Sequence, residues 1–141
     1  YGGHAVISIG HQHPHWVSRI KEQLDKISFY SNSIKIPIQQ ELAEKLGRLS
    51  GKEDYALFLC NSGAEANEAA FKLSRRTGKV RVVAAQGAFH GRTMGALSLT
   101  GQPSKREPFL PLIKGVKHVP YGDIEAIRKA ISKKTAMVII E

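Results

Sequence analysis

The chain has 141 residues, 42% of them hydrophobic and 23% charged, with 21 Lys and Arg against 12 Asp and Glu for a formal net charge of +9. These proportions are those of an ordinary globular protein and exclude a disordered or fibrous chain. A single cysteine, Cys60, excludes an internal disulfide framework and suits a reducing cytoplasm, and no apolar stretch approaches membrane-spanning length.

Tyr1 to Pro14 is rich in Gly and His, carries Val6, Ile7 and Ile9, and reads as a short strand or extended segment ending in a turn at Pro14. From His15 to Ile27 the apolar residues Val17, Ile20, Leu24 and Ile27 recur at helical spacing. The stretch from Phe29 to Pro37 has no period and contains Asn32, so it is expected to be a loop. Ile38, Leu42, Leu46 and Leu49 then mark a second amphipathic helix that stops near Gly51.

The pattern changes at Lys52. Tyr55 to Cys60 is a compact apolar run expected to be a buried strand, followed by a helix with Ala66, Ala69, Ala70 and Leu73 on its buried side, ending at Gly78. Val80 to Ala85 is a second strand, Gly87 to Gly101 an irregular glycine-rich segment, and Val116 to Val119 a short strand. Asp123 caps a helix carrying Ile124, Ile127 and Ile131, and Ala136 to Ile140 forms the last strand. Apolar strands alternating with helices predict an α/β fold with a mostly parallel sheet covered on both sides. Because the chain opens on Tyr1 rather than Met and stops at Glu141 directly behind an apolar run, it is expected to be an internal piece of a larger protein.

Two junctions carry candidate chemistry. In Asn61-Ser62-Gly63-Ala64-Glu65, between a strand and a helix, Ser62 is placed to accept from the Glu65 amide while the Glu65 side chain reaches back, a capping box. Gly63 and Ala64 leave first-turn N–H groups unobstructed, where the helix dipole and free donors bind phosphate. Glu65 and Glu68 are expected to add negative charge close to such an anion. No Gly-x-Gly-x-x-Gly fingerprint and no P-loop is present, so nucleotide phosphates are disfavoured. The second junction, Gly87-Ala88-Phe89-His90-Gly91-Arg92-Thr93, follows the next strand and so falls on the same carboxyl edge of the sheet. Phe89 offers a face to a flat ring, and Arg92 a bidentate fork for a carboxylate.

With these residues in hand, the chain resembles the class III pyridoxal-phosphate aminotransferases of fold type I. The resemblance rests on Asn61 to Ala70 with Lys72-Leu73, on Ala88 to Thr93, and on Gly10-His11-Gln12-His13-Pro14, and it runs from Tyr1 to Glu141. Within the class, the Asn67-Glu68-Ala69 and Phe89-His90-Gly91 forms are closest to the acetylornithine type. Ornithine and 4-aminobutyrate aminotransferases, the alternatives, differ in both blocks.

The resemblance implies pyridoxal 5'-phosphate as cofactor, with Ser62, Gly63 and Ala64 at its phosphate, Phe89 stacked on its ring, and His90 and Glu141 beside it. Arg92 would clamp the α-carboxylate of the acylornithine or glutamate. It further implies residues 1–51 as an N-terminal arm with helices of the small-domain side, residues 52–141 as the first half of the large cofactor-binding domain, and a cytoplasmic homodimer with shared active sites. The implied reaction is transamination between an N-acylornithine and 2-oxoglutarate in arginine biosynthesis. The family's Schiff-base lysine has no counterpart in a matching motif here, so no catalytic residue is assigned and the chain alone is expected to be inactive. Phe29 to Lys35 departs from the family's usual Ser-Asn followed by a large aromatic, which leaves acetyl and succinyl donors both open.

The sequence offers three other readings. The charge of +9 invites a non-catalytic anion- or nucleic-acid-binding module, but basic residues are scattered and their densest cluster, Arg128, Lys129, Lys133 and Lys134, falls on and just after a helix. The aromatics, at 7%, form no stacking platform, and no nucleic-acid or membrane partner is expected. His11, His13 and His15 alternate around Pro14, which does not aim three ligands at one ion, so no metal is assigned. Cys60 stands just before a helix N-terminus, which lowers a thiol pKa, but its apolar run points to the core.

Overall fold

The computed structural model describes residues 3–4, 6–28, 30–31 and 33–141. Tyr1 of the expected N-terminal segment, and Phe29 and Asn32 of the expected loop, lie outside the described residues. The chain divides into two compact units, Tyr1–Leu57 and Phe58–Glu141.

The first unit contains helices α1 (Pro14–Leu24) and α2 (Pro37–Ser50). Both start with Pro at a first-turn position, where its fixed φ suits the helix and its missing N–H has no intrahelical partner to lose. Pro14 therefore opens a helix instead of closing a turn. No strand forms among the described residues before it: Gly3 and Gly10 take positive φ, and Val6 and Gly10 donate to the carbonyls of Gly3 and Ile7 in successive turns. At its other end α2 stops as expected, with Gly51 in the left-handed conformation at φ 66° and the amides of Gly51 and Lys52 closing on the Arg48 and Gly47 carbonyls.

The second unit is built on a three-stranded sheet of β1 (Arg81–Ala85), β2 (Val116–Val119) and β3 (Thr135–Ile139), in the order β2-β1-β3. Both pairings are parallel, with Val82 opposite Val116 on one side and Met137 on the other. As the central strand, β1 is buried on both faces from Val82 to Ala85, which is why its sequence is continuously apolar rather than alternating.

One face is covered by α3 (Gly63–Ser74) and α4 (Met94–Leu99), where Phe71, Val82 and Leu99 pack with Val116, Met137 and Ile139. The other is covered by α6 (Ile124–Ala130), where Val83, Val119 and Ala130 pack with Ala126 and Ile127. Asp123 caps α6 as its sequence predicts, Oδ1 accepting from the Ala126 amide at 2.9 Å. Of the three isoleucines expected on this helix, Ile127 joins the core while Ile124 and Ile131 are exposed.

Four expectations are corrected. Tyr55 to Cys60 forms no strand: no neighbouring strand offers it a ladder among the described residues, and Phe58 is 68% exposed. Cys60 is consequently exposed rather than core. Of Ala66, Ala69, Ala70 and Leu73, expected on the buried side of α3, only Ala69 is half-buried and the other three are exposed; the buried side is centred on Phe71 and Ser74, with Ala64, Asn67 and Glu68 half-buried beside them. Finally, the segment from Gly87 to Gly101 contains α4, whose residues Gly95 to Leu99 are all buried, and a short α5 (Pro103–Arg106) follows it.

Leu99 is fully buried between α3 and the sheet, whereas Leu73 is 65% exposed. Replacing Leu99 with Ala is expected to cost about 2–5 kcal/mol of unfolding free energy, and replacing Leu73 about 0.5 kcal/mol or less. Urea unfolding of the two variants measures the difference.

Candidate functional site

The carboxyl end of β1 leads into Gln86–Thr93, and the N-terminus of α3 lies against that loop. Ser62 is extended (φ −154°, ψ 159°), and its Oγ accepts from the Glu65 amide at 3.2 Å. The returning Glu65 carboxylate accepts from the amide of Asn61, at 2.6 Å, one residue earlier than the expected capping box would place it. The amides of Glu65 and Ala66 are thus occupied within the cap, while among the described residues no acceptor sits on the amides of Gly63 or Ala64. A Cβ at Gly63 would meet nothing within 4 Å, so the helix start opens onto free space.

The loop is held to α3 by two consecutive side chains. Asn67 Nδ2 donates to the His90 carbonyl at 2.8 Å, and Glu68 Oε1 accepts from the amides of Gly95 and Ala96 at 2.7 and 3.2 Å. Between them Gly91, at φ 132°, comes so close that a Cβ there would lie 2.7 Å from Ala64 Cβ and 2.9 Å from Ala96 Cβ. The site therefore contains two residues, Asn67 and Glu68, that sequence reasoning did not single out as tertiary anchors. Their helical offset from Ala64 and Phe71 was the available signal, since positions three and four apart share a face. The negative charge expected from Glu65 and Glu68 near an anion is engaged by backbone amides instead.

Within the loop, Phe89 is 38% exposed and its amide donates to Glu141 Oε2 at 2.5 Å. Lys105 Nζ lies 5.8 Å from the Phe89 ring centroid. His90 is only 5% exposed; its amide donates to Thr100 Oγ1, and its Nε2 has no partner among the described residues. Arg92 is exposed. Ser62, Gly63, Ala64, Phe89, His90, Arg92 and Glu141 are thus gathered on one edge of the second unit. His11, His13 and His15 stay exposed in the first unit, and among the described residues no three His, Cys, Asp or Glu side chains converge as metal ligands.

The model for the family Aminotransferase class-III matches residues 1–141. The chain belongs to the class III aminotransferases. An acetylornithine aminotransferase of Streptomyces clavuligerus is 55% identical to it over 139 residues, covering 99% of this chain and 34% of that protein. The class III chain thus spans about a third of the length of this relative. Among solved structures, the ornithine aminotransferase of Toxoplasma gondii, described with partial occupancy of PLP at its active site, superposes with a TM-score of 0.84 at 22% identity, covering 94% of this chain and 33% of that one. The taurine:2-oxoglutarate aminotransferase of Bifidobacterium kashiwanohense, in complex with PLP and glutamate, gives 0.80 at 23% identity, covering 94% and 35%. The α/β fold expected from the sequence is therefore that of the PLP-dependent aminotransferases.

Three titratable groups tie this class III site to pH. Burial lowers the His90 pKa, with the negative charge of Glu141 pulling it partly back. Burial also lowers His118, whose Nε2 lies 3.1 Å from the Leu99 carbonyl and whose Nδ1 lies 3.3 Å from Arg106. A carbonyl only accepts and a guanidinium only donates, so His118 is neutral with its proton on Nε2. Burial raises the Glu68 carboxyl, but hydrogen bonding from Thr93 and from the Ala96 and Gly95 amides, with the charge of Lys72, outweighs it and leaves the pKa below its reference of 4.5.

For the histidines the unfolded chain binds protons more readily than the folded one. Their contribution to stability is full above about 6.5, the unfolded value, and declines as pH falls from there through the folded values. The Glu68 contribution is lost only at lower pH, as its own lowered pKa is passed. The urea midpoint is expected to fall between about pH 7.5 and pH 5, and to fall less in His118→Gln, which keeps a donor and an acceptor without titrating. A pH profile identical in parent and variant would contradict the assignment.

Proposed function

We propose that the chain forms the part of a PLP-dependent aminotransferase that grips the cofactor phosphate, the cofactor ring and the substrate carboxylate. The complete enzyme would exchange the amino group of an N-acylornithine, acetylornithine foremost, with 2-oxoglutarate in arginine biosynthesis. The observation that carries this reading is the joining of an open, capped helix N-terminus to a loop presenting an aromatic face and a guanidinium, with Asn67 bonding one directly to the other.

The residues present suit the cofactor. Unoccupied amides at Gly63 and Ala64, on a helix of 12 residues, favour an anion such as a phosphate. Phe89 is exposed enough to offer one face to a pyridine ring, and its position is set by the bond from its amide to Glu141. When bound, PLP supplies an electron sink for the carbon that loses a proton. Arg92 orients the substrate through a bidentate pair with its carboxylate, which fixes the angle of approach as well as the position. His90, buried and neutral, fills the space behind the loop and holds its backbone to Thr100. None of these residues is assigned the proton transfer, and the lysine that would hold the cofactor covalently has no match here.

The same reading makes residues 1–51 the N-terminal arm and helices, residues 52–141 the first half of the large domain, and the enzyme a cytoplasmic homodimer with shared sites. The name of the Streptomyces clavuligerus relative and the identity at 55% support the acylornithine donor over free ornithine or 4-aminobutyrate.

Glutamate formation from 2-oxoglutarate by the complete enzyme should be at least about tenfold faster, as kcat/KM, with acetyl- or succinylornithine than with ornithine or 4-aminobutyrate. A preference for the free amines would overturn the donor assignment, and the two acyl donors compared with each other settle the acyl group. Arg92→Ala is expected to raise KM for glutamate and 2-oxoglutarate by about 10–100-fold, with Arg92→Lys recovering only part. The 141-residue chain alone should form no keto acid from glutamate above the rate of free cofactor.

A further inference from the structure

We propose that Glu68 is the positioning residue that fixes where Arg92 presents its guanidinium relative to the α3 N-terminus. The inference rests on the functional reading above, in which Arg92 takes the substrate carboxylate. Glu68 lies on α3 and is placed by none of the motif assignments at cofactor or substrate. Its carboxylate instead serves the start of a different helix.

The need for it arises in α4. The residue before that helix, Thr93, makes no side-chain cap bond, so the first-turn amides have no local acceptor. Gly95 and Ala96 are buried, and a buried amide without an acceptor is costly. Glu68 Oε1 accepts from both, from 27 and 28 residues away in the chain. The space beside Gly95 is filled by this carboxylate, since a Cβ at that position would overlap its atoms. Any side chain at residue 95 therefore displaces the acceptor.

Asn67, the preceding residue on α3, donates to the His90 carbonyl. The two side chains thus pin both ends of the segment from His90 to Ala96 to the same turn of the same helix, and Gly91 inside that segment rests on Ala64. Arg92 lies between the two pins and is exposed, as are Thr93 and Met94 after it. With its backbone fixed from both sides, its side chain starts from a set point relative to Gly63 and Ala64. Loss of the Glu68 pin frees the end of the segment that follows Arg92 while leaving the His90 end attached.

The test uses the complete, cofactor-loaded enzyme. Glu68→Ala is expected to raise KM for glutamate and 2-oxoglutarate by about tenfold while kcat falls by less than about threefold, a split that general destabilisation does not produce. Glu68→Gln keeps an oxygen acceptor in place and should stay within about threefold of the parent KM. Gly95→Ala, which displaces the carboxylate without removing it, should reproduce the KM rise, and combining it with Glu68→Ala should add little, because both remove one contact. Independently of activity, amide hydrogen exchange at Gly95 and Ala96 in the cofactor-free protein should quicken by about tenfold or more in Glu68→Ala.

An unchanged KM in both Glu68→Ala and Gly95→Ala, an additive cycle, or unaltered exchange would overturn the proposal. Arg92→Ala separates this from the functional reading. If Arg92→Ala raises KM and the Glu68 and Gly95 variants do not, the positioning role alone falls; if Arg92→Ala leaves KM unchanged, the carboxylate reading falls with it.

Discussion

The approach of Gly91 to α3 is the constraint from which the geometry of the second unit follows. At φ 132° the residue occupies backbone space that other L-residues rarely enter, and a Cβ would stand 2.7 Å from Ala64 Cβ and 2.9 Å from Ala96 Cβ. Both requirements select glycine at residue 91, and the close approach is made to the small side chains Ala64 and Ala96 on the facing helices. With that contact made, the start of α3, the loop after β1 and the start of α4 are one packed object. The carboxyl edge of a parallel sheet is where ligands of open α/β folds collect, and here the edge is held by this close backbone approach together with the Asn67 and Glu68 side chains on either side of it.

The charges near that edge sort themselves by partner. Glu65 and Glu68 both lie close to the helix start, yet each is engaged by amides, Glu65 by Asn61 and Glu68 by Gly95 and Ala96. Charge-assisted bonds to backbone N–H groups are stronger than neutral ones and neutralise part of the field that a carboxylate would project. Positive charge is left on the exposed side: Arg92 stands free of any acidic partner among the described ion pairs, and Lys105 sits over the Phe89 ring. The local field thus favours anions although two acids flank the helix start, and the chain's net charge of +9 needs no polyanionic partner to explain this edge.

What the sequence made legible were the features settled by one or two neighbouring residues. Ser62 and Asp123 cap their helices, Gly51 closes α2, and the apolar runs of β1, β2 and β3 pair in parallel. Each is local chemistry or, for the central strand β1, burial on both faces so complete that it leaves no alternation to misread. Tyr55 to Cys60 failed because an apolar run becomes a strand only where another strand offers its hydrogen bonds, and none does among the described residues. The short helix α4 was missed because its two stabilising features are non-local: its cap comes from Glu68, and Gly95, a poor helix former by propensity, is required by the carboxylate lying against it.

The face of α3 was misassigned for a related reason. Alanines and Leu73 look like the buried side when hydrophobicity alone decides, but Leu73 is 65% exposed while the polar Asn67 and Glu68 face the loop. Burying polar groups costs little when each finds a partner, and here each does, at His90, Gly95 and Ala96. Those partners are glycine-loop and helix-start backbone groups that exist only once the loop has folded against the helix. The motif block from Asn61 to Ala70 is therefore best understood as two jobs interleaved at helical spacing: Ser62 to Ala64 keep amides open toward a ligand, while Ala64, Asn67 and Glu68 hold the partner loop at van der Waals and hydrogen-bond distance. A substitution on the second set leaves every ligand-facing residue in place and still moves the site, because the position of Arg92 is set by Asn67 and Glu68 and not by Arg92 itself.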